Sequence, residues 1–253
     1  SAAGGHAPET ENVAALKDVV RRTVGRGGRL IVPSFAVGRT QELVATLHEL
    51  LERGELPDVP IFVDSPLAKV ATGVYRQHPE CFDAETWQEF AKGGGAPFGF
   101  ARLRYTSSAE ESKALNERTE PCIVIAASGM CEGGRIVHHL RYGLGEPKNT
   151  VLFVGYQAEG TLGRRLLDGA EVVNLFGEPA RRRCEVAALD GFSAHADQAE
   201  ILDWVGRLDP APRRIFLVHG DLDAAETLAG KLRERVGATV AIPAPGEEVE
   251  LWT

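Results

Sequence analysis

Four short apolar runs, each entering a turn and then a helical pattern, constrain the fold of this chain more than any other feature. They are Leu30-Ile31-Val32, Pro60-Ile61-Phe62-Val63, Cys122-Ile123-Val124-Ile125-Ala126 and Val151-Leu152-Phe153-Val154. None alternates apolar with polar residues, so none has a face suited to water. Continuous runs of this length suit strands covered on both sides. Helical patterns separate them. Over residues 10–26, Val13, Leu16, Val20 and Val24 recur at three- and four-residue steps, and Gly25, Gly27 and Gly28 stop the pattern. A second helix runs through Leu43, Leu47 and Leu50-Leu51. A third begins near Leu67, with Asp64 or Ser65 available as its cap and Pro66 in its first turn. Further helices are expected near residues 135–140 and from Gly160-Thr161 onward, and residues 79–118 read as a helical excursion and loop. Strands alternating with helices in this way predict an α/β fold with a parallel sheet covered on both faces.

The character changes after roughly residue 180. Cys184-Glu185-Val186-Ala187-Ala188-Leu189 predicts a strand, residues 199–208 a helix and residues 215–218 another strand. A helix over residues 224–235 and strands at 240–242 and 249–252 complete the pattern. This stretch of about 65 residues is too short for a robust core of its own and is expected to pack on something else.

Charge and composition narrow the function. A net charge of -8 argues against coating nucleic acid through bulk electrostatics, because that requires Lys and Arg to neutralise phosphates. Local clusters at Arg21, Arg22, Arg26 and Arg29, at Arg164-Arg165 and at Arg181-Arg182-Arg183 leave a nuclease open. No stretch approaches the roughly 20 apolar residues of a membrane-spanning helix. The first residues have neither the basic nor the apolar region of a signal peptide. Cys81, Cys122, Cys131 and Cys184 show no C-x-x-C spacing, which suggests reduced thiols in a cytoplasmic protein rather than a zinc site.

Four turns follow the carboxyl ends of apolar strands: Ser34-Phe35, Asp64-Ser65, Ser128-Gly129 and Tyr156-Gln157. Ligands of open α/β sheets bind along that edge, where the following helices offer free N–H groups to phosphate. Two histidine turns lie further on, Gly191-Phe192-Ser193-Ala194-His195-Ala196-Asp197 and Phe216-Leu217-Val218-His219-Gly220-Asp221. Each sets an imidazole at the end of an apolar run with a carboxylate two positions on, as a metal ligand or proton-transfer group would require. His138 and His139 are adjacent inside a helical pattern, so their side chains diverge and cannot form a ligand pair. His6, His48 and His78 read as surface residues, and Cys131 as a packing residue.

The order of these motifs carries a resemblance. Pro33-Ser34-Phe35-Ala36-Val37-Gly38-Arg39-Thr40-Gln41-Glu42-Leu43, Asp64-Ser65-Pro66-Leu67-Ala68, Ala127-Ser128-Gly129-Met130, Gly155-Tyr156-Gln157-Ala158-Glu159-Gly160-Thr161-Leu162 and the two histidine turns occur in sequence. The chain resembles the β-CASP branch of the metallo-β-lactamase superfamily, which contains RNA-processing ribonucleases. The resemblance implies a parallel-sheet, Rossmann-like β-CASP domain over residues 7–186. Residues 187–253 would be the C-terminal portion of an αββα metallo-β-lactamase domain. It also implies roles. His195 matches the family's general acid facing the scissile phosphate, and His219 a ligand of one of two zinc ions. Ser128, Gly129, Ser193, Ser34 and Arg39 become candidate contacts to the substrate. A histidine at the position of His219 is typical of members acting on RNA.

The family's His-x-His-x-Asp-His motif and its other upstream ligands are absent from this sequence. The full-length parent is therefore expected to be a zinc-dependent ribonuclease holding two zinc ions. This chain alone is expected to be inactive, with no zinc or a sub-stoichiometric amount. Its expected partners are RNA, the missing N-terminal metallo-β-lactamase half and a second copy in a homodimer, with no membrane. Two alternatives remain: a non-catalytic RNA- or protein-binding β-CASP module, and an unrelated nucleotide-dependent transferase. The second would need a Gly-x-Gly-x-x-Gly or Gly-x-x-x-x-Gly-Lys-Ser/Thr loop, and neither occurs.

Overall fold

The computed structural model describes residues 9–82, 98–189 and 196–250. The chain divides into two compact units, one of residues 8–192 and one from residue 193 onward.

The first unit is built on a six-stranded, wholly parallel sheet in the order β3-β2-β4-β1-β5-β8. Its strands are β1 (Arg29–Pro33), β2 (Ile61–Asp64), β3 (Leu103–Tyr105), β4 (Cys122–Ala126), β5 (Thr150–Phe153) and β8 (Glu185–Ala188). The apolar runs are uninterrupted because each strand feeds two cores. Leu30 and Val32, Ile61 and Val63, Ile123 and Ile125, and Leu152 and Val154 point to one side. There they meet Leu16, Val19 and Val20 of α1 (Glu9–Gly25) and Leu43, Val44, Leu47 and Leu50 of α2 (Arg39–Glu52). The intervening Ile31, Ala126, Val151 and Phe153 point to the other side, against Ile136, Val137 and Leu140 of α5 (Arg135–Gly143) and Leu162 and Leu166 of α6 (Leu162–Leu167). Burying one such aliphatic or aromatic side chain contributes roughly 1.5–3 kcal/mol. A polar residue on either face of these central strands would therefore cost one of the two cores.

α3 (Pro66–Gln77) starts as the sequence predicts, with Ser65 rather than Asp64 as the cap: its hydroxyl accepts from the Ala68 N–H at 3.2 Å, and Pro66 occupies the first turn. Residues 79–118 hold a helix, as expected, but also a strand that was not. Among their described residues are the edge strand β3 and α4 (Ala109–Glu117), the latter started by a reciprocal Ser108/Glu111 capping box. β3 is three residues long and too short for periodicity to register. A hairpin of β6 (Val172–Leu175) and β7 (Glu178–Arg181) also has no counterpart in the sequence reading.

The second unit carries α7 (Gln198–Gly206), β9 (Arg214–Phe216), α8 (Leu222–Val236) and β10 (Thr239–Ala241), with β9 and β10 parallel. Its buried core is small, centred on Val205, Leu228, Ala229, Leu232 and Val240. Trp204, Val218 and Leu222 are each more than 60% exposed. The expected strand at 249–252 is not formed at Val249 and Glu250, and its last two positions lie outside the described residues. Among the described residues no helix is long and apolar enough to cross a membrane.

Candidate functional site

The carboxyl ends of β1 and β4 are adjacent, and the chain leaves them in opposite directions. β1 leads through α2 to β2 on one side, and β4 leads through α5 to β5 on the other. Such a switch point opens a crevice outside the strand ends, which is where open α/β sheets bind ligands.

Three of the turns singled out in the sequence meet there. The Ser34 N–H donates to the Ala126 carbonyl at 3.0 Å, tying the end of β1 to that of β4. The Ser34 hydroxyl is buried, 3.0 Å from that of Thr40, which also donates to the Phe35 carbonyl at 2.7 Å. Phe35 itself is half-exposed and lies over Gly129, where a Cβ would come within 2.8 Å of the ring. A larger residue at position 129 would have to push the ring aside. Ser128 follows a cis peptide bond and spends both its N–H and its hydroxyl on the Gly133 carbonyl, at 3.1 and 3.2 Å. From the turn after β5, the buried Gln157 donates its amide to the Gly129 carbonyl at 3.0 Å. Ser34, Ser128 and Gly129 are thus brought together. Arg39 starts α2 with its guanidinium paired to Glu42 at 2.7 Å.

The fourth turn serves a different purpose. Asp64 is fully buried, and its carboxylate collects donors from four directions. Oδ2 accepts from Ser112 and faces His139 Nε2, each at 2.6 Å, while Oδ1 accepts from Arg135 at 2.7 Å and from Thr106. His139 is also fully buried, and its Nδ1 faces Asn116 Oδ1 at 2.8 Å. Burial alone would raise the Asp64 pKa, but the hydrogen bonds from His139, Ser112 and Thr106 outweigh it and hold the carboxyl well below the usual range. The sequence reading did not assign His139 this role. The signal available was its place at the third step of the buried stripe Ile136, His139, Leu140 and Gly143. His138, one position away, is exposed, so the two side chains diverge as adjacency requires.

Burial pushes the Cys131 thiol up to about 12 and the Cys184 thiol up to about 11. Both behave as packing residues.

In the second unit His219 is exposed and holds a φ of 62°, a left-handed conformation uncommon outside glycine. Asp197 accepts from the Glu200 N–H and caps α7 in a capping box. His195 and Ser193 lie outside the described residues. Among the described residues no three His, Cys, Asp or Glu side chains are grouped to hold a metal ion. A zinc centre needs three or four protein ligands, so the described residues alone do not fit one.

Comparison with known proteins gives this geometry a family. Residues 40–166 match the model of the Beta-Casp domain, and residues 179–243 that of the Zn-dependent metallo-hydrolase RNA specificity domain. The chain is 39% identical over 244 residues to a protein named Ribonuclease TTHA0252 from Thermus thermophilus, covering 96% of this chain and 55% of that protein. It is 34% identical over 226 residues to Transcription termination factor FttA of Methanosarcina mazei, covering 87% of this chain and 35% of that one. The corresponding factor of Pyrococcus horikoshii is 34% identical over 241 residues, covering 93% and 37%. The chain therefore spans about half of the first relative and just over a third of the other two. With its parallel six-stranded sheet and matched domains, the chain belongs to the β-CASP branch of the metallo-β-lactamase superfamily.

Proposed function

We propose that this chain is the β-CASP and RNA-specificity part of an RNA-cleaving phosphodiesterase. Its role is to bind single-stranded RNA and present one phosphodiester for hydrolysis. The observation that carries this reading is the knot of turns at the β1/β4 switch point, where Ser34, Phe35, Ser128, Gly129 and Gln157 are tied together. The ribonuclease name of the Thermus relative and the RNA-specificity model over residues 179–243 support RNA as the ligand.

Hydrolysis of a phosphodiester needs a nucleophile, neutralisation of charge at phosphorus and a proton for the leaving oxygen. His195 would supply that proton, with Ser193 and the Ser128-Gly129 turn contacting the phosphate. His219 would serve as one metal ligand in the parent, which on the family's description depends on zinc. The domain boundary at residues 186/187 belongs to the same proposal, as do two zinc ions in the parent and inactivity of this chain alone. The exposed Trp204, Val218 and Leu222 fit a second unit whose apolar surface is completed by the remaining metallo-β-lactamase half.

The test is a filter-binding comparison of the purified chain with a single-stranded RNA oligonucleotide and with mononucleotides. Preferential retention of the RNA without cleavage is the expected result. Equal binding of mononucleotides would favour a nucleotide enzyme, and RNA turnover by the chain alone would remove the claim of inactivity.

A further inference from the structure

The loop that forms the Ser128-Gly129 turn has a second side, and a cavity of about 480 Å³ opens there. That volume lies within the range of small-molecule sites. Gly133 and Gly134 form one wall, and the β6–β7 hairpin forms the other through Asn174 and Phe176. Four features of this cavity belong together.

The first is the hairpin tip. Leu175 pairs with Glu178, so the loop holds only Phe176 and Gly177, at φ 54° and 83°. Two central residues with positive φ are the signature of a type I′ turn, whose first position favours Asn, Asp or Gly. A bulky aromatic there is strained, and no local backbone requirement explains it. The second is the ring itself, which is 57% exposed and, among the described residues, has a ring contact only with the exposed His138, tilted by 35° at a centroid distance of 4.7 Å. The third is Arg165, on the cavity wall, whose guanidinium forms no hydrogen bond or ion pair with the described residues. The fourth is the Asn174 side-chain amide, exposed and equally uncommitted among them. Glu132 also lines the cavity, but its Oε1 is committed to the Leu162 N–H at 2.6 Å.

We infer that this cavity is a nucleobase subsite for single-stranded RNA: Phe176, backed by His138, stacks on one base, Asn174 meets its polar edge and Arg165 holds the adjoining phosphate. The inference rests on the RNA reading above and extends it. One loop then serves two neighbouring nucleotides, with Ser128-Gly129 on one side and Gly133-Gly134 on the other. A free guanidinium next to a stacking ring is the pairing that single-strand binders use to hold backbone and base together. Strain at Phe176 is a cost to stability retained for binding.

The experiment measures fluorescence anisotropy of labelled single-stranded RNA, and of the same oligonucleotide carrying abasic sites, with the parent chain and with Phe176→Asn. Asparagine suits the turn, so this variant should melt about 2 °C or more above the parent. It should nonetheless bind the ordinary RNA about ten-fold more weakly, the scale of one lost base–aromatic stack. The abasic RNA should bind parent and variant alike, and Phe176→Trp should keep parental affinity. Arg165→Ala should weaken both RNAs and reduce the salt slope by about 0.7, one phosphate contact. If Phe176→Asn binds ordinary RNA as the parent does, the subsite is wrong while the RNA reading stands. If the parent retains neither RNA, the RNA reading fails and the subsite with it.

Discussion

Asp64 and His139 meet at 2.6 Å with neither side chain accessible to solvent. They join the end of β2 to the middle of α5, so the helix that follows the Ser128-Gly129 turn is pinned to the strand edge by a buried ionic network. Arg135, at the start of the same helix, makes a second connection to Asp64. Removing His139 leaves the buried carboxylate with three of its four donors, so the cost falls below the roughly 3–5 kcal/mol of leaving a buried charge with no partner. His139→Ala and Asp64→Asn should each lower the unfolding free energy, measured by urea denaturation, by about 1–3 kcal/mol. The double variant should lose less than the sum, since the two act as one unit. Strict additivity in a double-mutant cycle would show that the pair is not coupled.

The same network sets an acid limit. The Asp64 carboxyl is held below its unfolded value of about 3.9, so its stabilisation is fully present above that pH and is lost as pH falls toward the folded value. Between pH 5 and pH 3 the parent should lose stability more steeply than Asp64→Asn, as measured by urea midpoints at each pH. Parallel losses in the two proteins would remove Asp64 as a source of the acid slope.

Gly134 gives a sharper backbone test. It precedes α5 at φ 77° and ψ -171°, a region that is essentially glycine-only, and a Cβ there would lie 2.4 Å from the Ala127 carbonyl oxygen. Neither the conformation nor that backbone contact can relax without moving the Ser128 turn. Gly134→Ala should cost about 2–4 kcal/mol, a melting temperature lower by roughly 5–15 °C. Gly133→Ala, next in sequence but with open space around its Cβ, is the control and should be near neutral. Equal melting temperatures for the two variants would mean that the loop is not held as described.

The central sheet was legible because its strands are doubly buried, and a run such as Cys122-Ile123-Val124-Ile125-Ala126 has few other places to go. The turn residues were legible for a related reason: Ser34, Ser128 and Gly129 sit where apolar runs end, and the sheet order then gathers them. The hairpin of β6 and β7 was not. Its burial alternates only at Val173 and Leu175, and its turn carries Phe176 where the usual hairpin signal would be Asn. The buried role of His139 was hidden by its neighbour His138, because adjacency speaks only against a shared ligand and says nothing of a distant Asp64. The order of the strands, which makes β1 and β4 neighbours, depends on contacts far apart in sequence that no local pattern encodes.

Cysteine reactivity should follow burial. Cys81 is exposed, whereas Cys122, Cys131 and Cys184 are buried, and burial raises the thiol pKa of all three. The thiolate is the reactive species, so at pH 8 only Cys81 should react rapidly with a thiol reagent in the folded protein. All four should react in denaturant. Rapid native labelling of Cys131, located by peptide mapping, would mean that the loop between β4 and α5 opens readily.

The two histidine turns can be separated in a protein extended to the length of the relatives. If His195 delivers a proton to the leaving oxygen, His195→Ala should reduce RNA cleavage by two or more orders of magnitude, within the usual range for a lost general acid. Its metal content should remain that of the parent. If His219 is a metal ligand, His219→Ala should lower both cleavage and zinc content, because a site deprived of one nitrogen donor loses affinity as well as chemistry. The left-handed conformation of His219 makes His219→Asn a useful companion, since asparagine tolerates that backbone and isolates the loss of the imidazole. Metal analysis alongside single-turnover cleavage distinguishes the roles. Normal turnover in both alanine variants would remove these histidines from the chemistry, and a zinc loss confined to His195→Ala would exchange their assignments.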